Sequence, residues 1–141
     1  DARNVQQVVE QTGELPHLVA HHGERPLLAI GGGTPLDQAQ PAVDAREAAL
    51  FTSEGASETD LKAARKAFRN MEDHMTLRQI EGSDWFVGNT PTLADLALLP
   101  SFALSRDCGI DHDEYPALRR WLRRFRALPG FITMPGVPDY H

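Results

Sequence analysis

Apolar residues recur at helical intervals along most of this chain. From Ser57 to Met75 they fall at Leu61, Ala64, Phe68, Met71 and Met75. Steps of three and four keep them on one helix face. Ser57 with Asp60 three residues on is a first-turn capping signal. Between Thr92 and Ser105 the pattern changes. Leu93, Ala94, Leu96, Ala97, Leu98, Leu99, Phe102, Ala103 and Leu104 point in nearly every direction. Such a helix is expected at the centre of a domain, kinked by Pro100. A third helix is predicted from Pro116 to Leu128, with proline in the first turn. Its inner stripe is Leu118, Trp121, Leu122 and Phe125, and Arg119, Arg120, Arg123, Arg124 and Arg126 form its outer surface. Ala42–Ser53 predicts a short alanine-rich helix. Ala2–His22 is a weaker helical segment, broken or bent near Gly13 and Pro16. No run alternates in the manner of a strand. The residues from Pro129 onward predict an irregular tail packed over the helices. The pattern predicts an all-α bundle of about five helices.

Composition narrows the reading. The 141 residues suit one domain with a single core. A net charge of −6 argues against non-specific nucleic-acid binding, which needs Lys and Arg to neutralise phosphate. A single cysteine excludes a disulfide framework or a four-cysteine zinc site. The longest apolar run, Leu96 to Pro100, is too short to span a membrane. No signal-like leader opens the sequence, and a cytoplasmic location is expected. The first residue is Asp1 rather than methionine, which fits a processed chain or a fragment.

The most informative stretch runs from Asp84 to Asp95 and reads DWFVGNTPTLAD. Physically it is a loop feeding a buried helix. Gly88 permits a turn. Thr92 is the expected N-cap, Asp95 completes a capping box, and Pro91 and Leu96 occupy the staple positions. The phrase resembles the "FLxGxxxTxAD" of glutathione S-transferases, in their C-terminal helical domain. Downstream, Gly109, Tyr115-Pro116, Leu118, Trp121, Leu122 and Leu128-Pro129-Gly130-Phe131 resemble that family's "YPxLxxW…LPGF" ending. Met71-Glu72-Asp73-His74-Met75 is similar to the "MxxHL" of bacterial members. Val5, with Gly13-Glu14 following, resembles their "VQxWL…GE" helix, although Val8 stands where many have tryptophan. The resemblance implies that residues 1–141 are one glutathione S-transferase C-terminal-like domain. Its partner would be an N-terminal thioredoxin-like domain that binds glutathione and activates its thiol. Glutathione is then a co-substrate of the intact enzyme, with no cofactor or metal implied. The helical domain would contribute one wall of an apolar co-substrate pocket and much of a homodimer contact. Gln7, Gln11 and Leu15 on the first helix are the expected substrate-lining residues, and Thr92 and Asp95 the structural box. No catalytic residue is assigned, and the chain alone is expected to be inactive.

Other constellations read as structural. Cys108 before Gly109 is a passive loop cysteine, with Asp107 and Asp111 near Arg106. His17 and His21 have ligand spacing, with His22 adjacent, but no third ligand follows. Gly31-Gly32-Gly33 lacks the Lys-Ser/Thr of a phosphate loop and is expected to be a flexible linker. The arginines of the last helix are expected to be solvated and compensated by Asp107, Asp111, Asp113 and Glu114. A second functional class stays open: a non-catalytic binding or dimerisation module of the same fold.

Overall fold

The computed structural model describes residues 29–140. Four α-helices order this region: α1 (Pro35–Phe51), α2 (Glu58–Ile80), α3 (Leu93–Ala103) and α4 (Pro116–Arg126). Two short 3₁₀ turns, Ser105–Cys108 and His112–Glu114, join α3 to α4. Among the described residues there is no strand, and the fold is all-helical. The helical segment expected at Ala2–His22 lies outside the described residues, as do His17, His21 and His22.

Helix α1 is longer than its alanines indicated. Ile30 and Gly33 exchange two backbone hydrogen bonds across Gly31 and Gly32, whose φ angles are +56° and +88°. The glycines therefore form a tight turn, not the flexible linker expected from the sequence. A Cβ on Gly31 would lie 2.6 Å from the Asn70 side chain, so only glycine fits there. Thr34 then caps α1: the Asp37 carboxylate accepts from the Thr34 N–H (2.7 Å) and the Asp37 N–H donates to Thr34 Oγ1 (3.3 Å). Pro35 occupies the first turn, where its missing N–H costs little. The helix thus starts at Pro35 rather than Ala42, and Pro41 lies inside it.

Helix α2 begins at the expected Ser57–Asp60 box and runs on to Ile80. Its buried face is Ala64, Ala67, Phe68, Met71 and Met75. Helices α1, α2 and α3 pack together, and α4 closes the bundle against α2 and α3. Aromatic edges join these layers. Phe68 meets Phe102 at 5.4 Å and Tyr115 at 5.7 Å, and Phe86 meets Trp121 at 5.0 Å, all near-perpendicular. The N-terminus of α4 has no side-chain cap of its own. Glu72 on α2 supplies one: its carboxylate accepts from the N–H groups of Ala117 (2.8 Å) and Leu118 (2.9 Å). This satisfies two orphan donors and places an anion at the positive end of the helix.

The tail is irregular, as the sequence indicated, and Phe131, Val137 and Tyr140 pack against the core. Its last turn is held by a polar chain. Ser105 donates to the Phe102 carbonyl (2.8 Å), so its Oγ accepts from His112 Nε2 (2.8 Å), and Nδ1 then accepts from the Tyr140 hydroxyl. His112 is fully buried and stacks on Phe102 at 4.2 Å. Burial and the nearby Arg106 push its pKa down to about 4.

Candidate functional site

The loop from Glu81 to Pro91 and the start of α3 are joined by several hydrogen bonds. Arg78 donates from Nε to the Trp85 carbonyl (3.2 Å) and from Nη2 to the Gly88 carbonyl (2.5 Å). The Ser83 hydroxyl reaches the same Gly88 carbonyl (2.6 Å). Gly88 has φ +65°, the left-handed conformation that the turn requires. His74 Nε2 lies 2.9 Å from the Phe86 carbonyl, and its ring stacks on Phe86. The methionine-rich phrase on α2 therefore positions two things at once, the loop through His74 and α4 through Glu72.

Asp95 is the hub. It is fully buried, with both oxygens used twice. Oδ2 accepts from the Thr92 N–H (2.9 Å) and the Thr92 hydroxyl (3.0 Å). Oδ1 accepts from the Phe86 N–H (3.1 Å) and from Trp121 Nε1 (2.9 Å). The Thr92 hydroxyl sits in the capping-box position over the Asp95 amide, while its proton goes to the carboxylate. One side chain thus ties the loop, the start of α3 and the middle of α4 together. The bonds from Phe86 and Trp121 are tertiary and have no sequence-local signal.

Helix α3 is not buried on every side, contrary to the expectation from its composition. Leu93 is 81% exposed and Leu96 54% exposed. Both line an open apolar groove of about 540 Å³ with Pro91, Phe125, Leu128 and Phe131. The staple pair Pro91 and Leu96 forms one wall, and α4 with the Leu128–Phe131 segment forms the other. An open apolar groove of this kind is a candidate contact surface.

A second apolar surface runs along α1. Leu36, Val43 and Leu50 recur every seven residues and are 68%, 43% and 47% exposed. Seven-residue spacing keeps them on one stripe of the helix.

The remaining candidates are structural in their surroundings. Cys108 is buried, donates to the Ser105 carbonyl (3.0 Å) and has its pKa raised, first by burial and then by Asp107. A thiol so placed is a poor nucleophile. Among the described residues, no group of His, Cys, Asp and Glu is arranged to hold a metal ion. No described helix is long and apolar enough to cross a membrane. The α4 arginines are compensated differently from expectation. Of the four acids named, only Asp113 pairs with one of them, Arg119 (2.6 Å). Asp107 pairs with Arg46 and Glu114 with Arg69, while Arg124 and Arg126 take Asp84 and Asp139. Asp111 instead caps the second 3₁₀ turn, accepting from the Asp113 N–H. Gln7, Gln11 and Leu15 lie outside the described residues.

The hub, the groove and the bundle define a class. Residues 37–129 match the glutathione S-transferase, C-terminal domain family, and the chain belongs to it. The likeness read at Val5 and Gly13-Glu14 lies outside the matched residues. Two solved structures are similar. A glutathione S-transferase from Xanthobacter autotrophicus is 28% identical with a TM-score of 0.52, over 70% of this chain and 45% of that one. A possible glutathione S-transferase from Rhodopseudomonas palustris is 27% identical with a TM-score of 0.57, over 76% of this chain and 52% of that one. The chain therefore spans about half the length of these two proteins. No curated protein matches it.

Proposed function

We propose that this chain is the helical half of a glutathione S-transferase, an enzyme that conjugates glutathione to electrophilic, apolar small molecules in the cytoplasm. The observation that carries the reading is the open groove beside the Asp95 hub, in a chain that covers about half of each solved relative. In this reading the groove receives a thioredoxin-like domain, and Leu93 and Leu96 are exposed because that domain covers them. Conjugation needs a thiolate, since a thiol at neutral pH is the weaker nucleophile. The proposal places the group that stabilises it on the thioredoxin-like domain, with glutathione as co-substrate. The helical half contributes a wall of the apolar pocket, to which Gln7, Gln11 and Leu15 are assigned. The stripe of Leu36, Val43 and Leu50 supports a homodimer contact, because a self-complementary helix face suits a two-fold interface.

The test is glutathione conjugation to an activated aryl chloride, followed by absorbance. The gene product read upstream to its own start is compared with residues 1–141. Turnover by the longer product and none by the shorter one is expected. A longer product that lacks a thioredoxin-like segment, or has one and does not conjugate, overturns the enzymatic reading. The non-catalytic assembly module is then favoured by the α1 stripe, and sedimentation across concentrations shows whether the chain self-associates through it.

A further inference from the structure

Five of the fourteen Lys and Arg residues of this acidic chain sit on the eleven residues of α4. Three of them, Arg120, Arg123 and Arg124, share a concavity of about 530 Å³ with Gln79 and Asp84. Their spacing of three and four residues aligns them on one helix face. Two are held in place. Arg120 donates from Nε to Gln79 Oε1 (2.8 Å), and Gln79 is itself anchored by donating to the Ala117 carbonyl (3.0 Å). Arg124 is held by Asp84 at 3.1 Å. The Arg123 side chain has no ion pair or hydrogen bond among the described residues. The lining of this concavity therefore holds three arginines and one carboxylate, and the partner that orients Arg120 is neutral; Arg123 also borders the adjoining hollow lined by Asp139, whose carboxylate pairs with Arg126.

We propose that this concavity binds a phosphate-type oxyanion, between the free edges of Arg120 and Arg123 with Arg124 alongside. Planar guanidinium forks match tetrahedral oxyanions by paired, charge-assisted hydrogen bonds. Holding Arg120 by an amide fixes its orientation without cancelling its charge. A surface evolved only for solubility in an acidic protein has no need to collect cations and anchor one of them to a neutral group. The groove beside α3 is a separate surface, so this site does not depend on the transferase reading.

The experiment is a calorimetric titration of the full chain with inorganic pyrophosphate, with ionic strength matched by sodium chloride. Saturable binding is expected, weakened about tenfold by Arg123→Gln and by Arg120→Gln, since each removes a charge-assisted contact. Lys66→Gln, an exposed change on α2, is expected to leave it unaltered. Thermal midpoints of the variants confirm that they remain folded. Vesicles containing phosphatidate test the lipid source of the same group. Binding to these but not to pyrophosphate assigns the site to a headgroup rather than a free solute. No saturable binding of either ligand, or binding untouched by the two arginine variants, overturns the proposal.

Discussion

Replacing Asp95 is the sharpest perturbation of the hub. Asp95→Ala removes the acceptor of four hydrogen bonds at once. Phe86 and Trp121 are each 1% exposed, so their N–H groups have no route to water. An orphaned buried donor costs about 1–3 kcal/mol. Two such donors at about 2 kcal/mol each, with about 1 kcal/mol for the lost cap, give about 5 kcal/mol. The capping box alone accounts for only about 1–2 kcal/mol of helix stability, so the tertiary bonds carry most of the effect. Whole domains are stable by roughly 5–15 kcal/mol, and Asp95→Ala is expected to leave the chain marginal. Asp95→Asn keeps one acceptor oxygen and is expected to cost about 2 kcal/mol. Trp121→Phe removes a donor rather than an acceptor and is expected to cost about 1 kcal/mol beyond its packing change. The assay is urea unfolding followed by tryptophan fluorescence and circular dichroism, the latter serving for Trp121→Phe. If Asp95→Ala costs no more than Thr92→Ala, the hub is only a helix cap and the reasoning fails.

Four further outcomes are expected. Glu72→Ala should cost about 1–2 kcal/mol by uncapping α4 from a distance, read by urea unfolding. His112 has a folded pKa near 4, below its ordinary 6.5, so the unfolded chain binds the extra proton between these values. Its contribution is fully present above pH 6.5 and is lost as pH falls towards 4, by about 3 kcal/mol in all. Unfolding free energies from pH 7 to 4 should slope accordingly, and more shallowly in His112→Gln. Leu93→Lys and Leu96→Lys should change the stability of this chain by less than about 0.5 kcal/mol, both positions being exposed. In the longer gene product the same changes should abolish conjugation if the groove is covered there. Cys108 should react with a disulfide reagent only slowly until the chain is unfolded by urea, which a stopped-flow trace at 412 nm resolves as about one thiol released on unfolding.

The α2 and α4 helices were legible because their apolar stripes are regular and their starts carry Ser57–Asp60 and Pro116. The start of α1 was not. Three glycines and two prolines signalled a loop, while the decisive feature was the Thr34–Asp37 box with Pro35 at the first turn. Composition also misled at α3. An all-round apolar helix reads as buried, yet Leu93 and Leu96 face outwards into a groove, because apolar composition alone does not say which face the neighbouring helices cover. The local half of the hub, Thr92 with Asp95, was readable from spacing. The bonds from Trp121 and Phe86, and the Glu72 cap on α4, join residues far apart in sequence and arise only from packing. The same holds for the alignment of Arg120 by Gln79.

The central claim is that this helical half completes a glutathione enzyme but does not itself hold glutathione. Isothermal titration of glutathione into residues 1–141 and into the longer gene product tests it most directly. Saturable binding by the longer product, with no binding by residues 1–141, is the expected result. Tight binding of glutathione by the 141-residue chain alone would contradict it.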